Sequence, residues 1–177
     1  MIQPITILRN CAALAAWLLA GWVSTQSSGG VFASGAVASV LDSWHAAAAA
    51  ADEEKYFAYF TPDAVFLGTD GTERWSRDEF RRYAHPYFAK GKAWSFKASS
   101  RRVSFAPDHT VAWFDEALDT PNLGPCRGSG VLVATPAGWR IAQYNLSIPI
   151  PNDLAGDFKR RIEDYESSKT KTKAKGD

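Results

Sequence analysis

The chain has 177 residues, 46% of them hydrophobic and 13% aromatic, which is enough for one domain with a substantial core plus extensions. Its 20 Lys and Arg against 19 Asp and Glu give a formal net charge of +1, and four of the lysines fall in the last nine residues. The rest is slightly acidic, which argues against nucleic acid as the main partner.

Residues 1–33 read as a secretory signal. Arg9 precedes an apolar run of 13 residues, Cys11–Val23, too short to span a bilayer comfortably. Val31-Phe32-Ala33 suits cleavage, as does Ala20. The expected location is periplasmic or secreted, with no stable membrane insertion once the signal is removed. Cleavage leaves Cys126 as the single cysteine, so no internal disulfide can form. The three histidines have no HxH or HExxH spacing, and no metal or cofactor is expected.

Ser34–Ala51 reads as an Ala-rich helix, with Val37, Leu41, Trp44 and Ala48 on one stripe. His45 is read as a surface or helix-packing residue. Asp52-Glu53-Glu54 opens a second short helix that carries Tyr56, Phe57 and Phe60, and Thr61-Pro62-Asp63 stops it. A short hairpin follows, Ala64–Gly68 out and Glu73–Trp75 back. Ser76 and Glu79 have capping-box spacing for a third helix over Arg77–Ala89, with Pro86 bending it and Gly91 ending it.

The remainder reads as strands. Trp94–Phe105 alternates loosely, as a long strand with a bulge would. Thr110–Asp119 puts Val111, Trp113 and Asp115 on one face and Ala112, Phe114, Glu116 and Leu118 on the other. Gly128–Ala134 and Trp139–Ile148 flank a Thr-Pro-Ala-Gly turn, a hairpin. Its second strand sets Trp139, Ile141, Gln143, Asn145 and Ser147 on one face, apolar at first and then polar, which suits the wall of a partly polar cavity. Pro149 and Pro151 end the ladder, and residues 152–177 form a C-terminal helix to about Tyr165 and a disordered basic tail. The order defines an α+β domain over residues 34–151, a curved antiparallel sheet covered by three N-terminal helices and enclosing a cone-shaped hollow.

This order resembles the NTF2-like superfamily, and more closely its SnoaL-like branch. Asp52–Phe60, Thr61-Pro62-Asp63-Ala64-Val65-Phe66, Gly68-Thr69-Asp70, Trp75-Ser76, Val111–Phe114 and Gly138–Ser147 carry the resemblance. It implies a pocket lined by polar groups of the last strands, here Arg127, Ser129, Gln143 and Asn145 with Asp115 or Glu116. Trp44, Tyr56, Trp75, Phe88 and Trp113 would be apolar wall. It also implies a small organic ligand and a homodimer formed through the outer sheet face. Two alternatives stand beside ligand binding. One is cofactor-independent isomerase, cyclase or dehydratase chemistry with Asp115 as base, or Asp115 paired with Arg127 and inert. The other is an oligomerisation module with an apolar outer face that includes Phe114, Leu118, Tyr144 and Leu146. In several relatives two histidines stand where this chain has Gln143 and Asn145, and neither amide titrates near neutral pH.

Overall fold

A computed structural model describes residues 28–173, with side chains from 34 to 169. The signal segment expected over 1–33 lies mostly outside the described residues. Helix α1 spans Ser28–Ala49, α2 Glu53–Ala58 and α3 Arg77–Ala89. The strands are β1 Phe60–Leu67, β2 Arg74–Ser76, β3 Lys97–Phe105, β4 Val111–Thr120, β5 Gly124–Thr135 and β6 Gly138–Ser147. They form one sheet in the order β2-β1-β6-β5-β4-β3. Only the β1–β6 pair is parallel. Helix α1 packs over β3 and β6, and α3 over β1 and β2.

Local signals account for most boundaries. Asp52 caps α2 by accepting the Lys55 N–H at 3.1 Å. Ser76 and Glu79 close a reciprocal capping box on α3. The hairpin between β5 and β6 turns on Gly138, at φ +95°, where a side chain would strain the backbone. Glu53 pins α2 to α3 by bonding Arg81 at 2.9 Å and His85 at 2.7 Å.

Three boundaries differ from the sequence reading. Helix α1 starts six residues before Ser34. Thr61-Pro62-Asp63 belongs to β1, where the register with β6 shifts between Phe60 and Val65, so the proline sits in an irregular stretch and not in a regular ladder. The C-terminal helix, α4, runs from Ala155 to Lys173, well past Tyr165.

The larger correction concerns the sheet faces. Opposite Val131 stands Gln143, yet opposite its neighbour Leu132 stands Ile141, so Ala142 is an extra residue in β6. Such a bulge inverts side-chain direction beyond it. Ile141, Tyr144 and Leu146 are therefore all buried, and Gln143, Asn145 and Ser147 turn to the other face. The face that looked apolar and then polar is two faces joined by a bulge. In β4 the buried residues are Ala112, Phe114, Glu116 and Leu118. Phe114, Leu118, Tyr144 and Leu146, expected on an apolar outer face, are core.

The core is rich in aromatic rings. Trp44 stacks on Tyr56 at 5.0 Å and meets Tyr144 at 4.6 Å. Phe66 stacks on Phe80 at 3.8 Å and on Tyr144 at 5.5 Å. Burying one such ring removes roughly 150–250 Å² from water, worth on the order of 4–6 kcal/mol before ordering costs. Gly130 lets β6 approach, because a Cβ there would lie 2.3 Å from the Gln143 carbonyl oxygen. Gly130→Ala should lose about 1–3 kcal/mol of unfolding free energy in urea, the scale of a forced backbone shift. An unchanged midpoint would contradict this packing of β5 on β6.

Candidate functional site

Two groupings of side chains stand inside the sheet. The first is centred on Glu116, 1% exposed. Its Oε1 accepts from His45 Nε2 at 2.8 Å and from the Tyr144 hydroxyl at 3.2 Å. Its Oε2 accepts from Arg101 Nε at 2.8 Å. Arg101 Nη2 also lies 2.7 Å from Oε2, but off the N–H axis, so that contact is ionic and not a directed hydrogen bond. Arg101 Nη1 donates to Asp42 Oδ1 at 2.8 Å and to the Ala38 carbonyl at 3.1 Å. One carboxylate thus joins α1, β3, β4 and β6.

Glycine makes room for this. Gly128 faces Glu116 across β4–β5, and a Cβ at 128 would lie 2.3 Å from the Tyr144 hydroxyl and 2.8 Å from Glu116 Oε1. Burial alone would raise the Glu116 pKa, but the hydrogen bonds and charges of His45 and Arg101 outweigh it and hold the carboxyl below the 4.5 of a free glutamate. Burial, and then the Glu116 charge, push the Tyr144 phenol well above 10, which keeps it a donor. Because the native pKa of Glu116 lies below the unfolded one, its contribution to stability is complete above pH 4.5. It is lost as the pH falls through the native value.

The second grouping lines a pocket of about 180 Å³ between α3 and the β1–β2 end of the sheet. Phe66, Phe80 and Leu146 form its inner wall, and Trp75, Tyr83, Trp94 and Phe96 its sides. Thr69, Glu73 and Leu123 stand at its rim. Trp75 stacks on Phe80 at 5.6 Å and on Tyr83 at 4.7 Å. The pocket reaches toward the first grouping through Phe96, whose ring lies edge-on to His45 at 5.9 Å.

The predicted site residues divide sharply. Trp44 and Tyr56 are buried core, and Trp75 lines the pocket. Asp115 and Trp113 lie on the outer sheet face, where the Asp115 side chain is 58% exposed and Trp113 48%. Asp115 faces Arg102 at 3.9 Å, not Arg127. Arg127, Ser129, Gln143 and Asn145 are on that outer face too, and none lines the aromatic pocket. The reason is the parity of β4 and β5 together with the Ala142 bulge.

Sequence reasoning missed His45, Arg101 and Glu73, and left open which of Asp115 and Glu116 points inward. His45 follows Leu41 by four residues and precedes Ala48 by three, so it lies on the apolar stripe of α1. Glu116 alternates with Phe114 and Leu118, so it shares the buried face of β4 with them.

The comparisons with known proteins agree with this fold. The fold is NTF2-like. An NTF2-like protein of unknown function from Pseudomonas putida KT2440 superposes with a TM-score of 0.59 at 11% identity, over 70% of this chain and 92% of that one. A candidate dehydratase of the NTF2-like family from Streptomyces avermitilis gives 0.58 at 18% identity, over 66% and 96%. A candidate scytalone dehydratase from Novosphingobium aromaticivorans gives 0.59 at 11%, over 68% and 87%. The profile of the SnoaL-like domain matches residues 37–151, and the chain belongs to that family. No curated protein matches the chain.

Glu116→Ala should cost about 3–5 kcal/mol in urea unfolding at pH 7, because it breaks a buried ion pair and leaves Arg101 with only the exposed Asp42 as counter-charge. Asp115→Asn should stay within about 0.5 kcal/mol of the parent. A reversed order would show that the face assignment is wrong.

Proposed function

We propose that this protein binds a small organic molecule in the aromatic pocket and is not an acid–base enzyme acting through an aspartate. The observation that carries the reading is the contrast between the two groupings. Glu116, the buried carboxylate, is saturated by His45, Tyr144 and Arg101 and lines no described cavity. A base must reach the proton it removes. Asp115 is exposed on the outer sheet face and does not line the pocket. The pocket, in contrast, offers concave apolar walls with a few polar groups at the rim, the usual composition of a ligand site. Its volume, about 180 Å³, suits a ligand of one ring, since a cavity of about 150 Å³ accepts benzene.

Location outside the cytoplasm and a homodimer formed through the outer sheet face belong to the same proposal. The first rests on the apolar run Cys11–Val23. The second is supported by half-exposed Trp113, which stands opposite Val131 on that face. Trp113→Arg should therefore shift the sedimentation coefficient toward that of a monomer, and a variant that sediments like its parent would remove Trp113 from any interface.

Ligand-observed NMR with benzene as the probe tests the pocket. The parent should show transfer to the probe, and Leu123→Trp, which places an indole at the rim, should abolish it. Transfer of equal strength in that variant would locate binding elsewhere and refute the reading.

A further inference from the structure

The chemistry of the pocket rim narrows the ligand class. Four aromatic side chains, Trp75, Tyr83, Trp94 and Phe96, surround the space, and among the described residues Glu73 is the only carboxylate that lines it. Among the described residues no Lys, Arg or His lines the pocket.

Glu73 is held in place. Its Oε2 accepts the Asp70 N–H at 3.2 Å, and its main chain bonds Gly68 at 2.9 Å. Gly68 has no side chain to obstruct it, since a Cβ there would lie 2.1 Å from Glu73 Oε2. Among the described residues Glu73 forms no ion pair, in contrast to Glu53 and Glu116. Its charge is felt inside the site, because after burial and the neighbouring Tyr87 it also helps to raise the Tyr83 pKa.

A pocket with aromatic walls and one unpaired carboxylate repels organic anions and attracts organic cations. Ring faces carry negative potential, and they favour an alkylated ammonium more than a strongly hydrated primary one. A quaternary or tertiary ammonium presents methyl groups to the rings and a diffuse charge to the carboxylate. It also needs few hydrogen-bond acceptors, and the pocket offers few.

From the aromatic walls and the lone Glu73 carboxylate we infer that the pocket recognises a small alkylated ammonium cation. This inference rests on the proposal that the pocket binds ligands, and names the class.

The test is isothermal titration of the full chain with choline, with tetramethylammonium, and with 3,3-dimethylbutan-1-ol, the uncharged carbon analogue of choline. Benzene binding by NMR serves as a separate check that the pocket is competent. The inference expects choline to bind about tenfold tighter than the alcohol, the scale of a partly desolvated cation–π contact. Glu73→Gln should bring the two within about threefold, and Leu123→Trp should remove both. Circular dichroism of each variant verifies that it is folded. Should Glu73→Gln not fold, the comparison of choline with the alcohol on the parent still decides. Equal affinity for the two would overturn the cation inference and leave the pocket standing. Benzene binding without cation binding would do the same. Absence of all binding would overturn the pocket reading as well. Choline binding that survives Leu123→Trp would place the cation elsewhere and also refute the inference.

Discussion

The structure depends on how one buried charge is compensated. Glu116 sits in the middle of β4 with its carboxylate inside the sheet, where an unpaired charge would not be tolerated. Arg101 supplies the opposite charge from β3, His45 a donor from α1, and Tyr144 a donor from β6. Each partner comes from a different element, so the network fixes the position of α1 over the sheet as well as satisfying the charge. Such a network is not a large net source of stability, since apolar residues of the same shape could do as well. Its effect is on geometry, because an alternative register would leave at least one of these groups buried without a partner.

That constraint separates the interior into two regions of different chemistry. Beneath α1 the space is filled by the Glu116 network and by Trp44, Tyr56 and Tyr144. Beneath α3 the space is not filled, and the rings of Phe66, Trp75 and Phe80 wall a hollow that opens past Glu73 and Leu123. The two regions meet at Phe96, which packs on His45 and lines the hollow. A fold shared with candidate dehydratases therefore carries here an interior carboxylate engaged on both oxygens, and a separate aromatic hollow whose own carboxylate is at the rim.

The element order was legible in the sequence because it depends on local signals. The stripe of α1, the capping box of Ser76 and Glu79 and the glycine turn at 138 each act within a few residues. Trp75, offered as pocket wall by the family resemblance, does line the pocket. The polar candidates do not, because their direction depends on parity along whole strands. One extra residue, Ala142, sends Gln143 and Asn145 outward, and nothing local to β6 marks it. Asp115 and Glu116 were both in view. The neighbours Phe114 and Leu118 favour Glu116 as the inner one, but its partners Arg101 and His45 lie 15 and 71 residues away in sequence. Only the folded chain brings them together.

The most direct test is a site-resolved NMR titration of the Glu116 side-chain carboxyl, assigned by comparison with Glu116→Gln. The network requires a pKa below the 4.5 of a free glutamate, with His45 and Arg101 prevailing over burial. A pKa raised toward neutrality would mean that burial prevails. Glu116 would then be a carboxyl poised to exchange a proton, and the account of it as a closed structural tie would be contradicted.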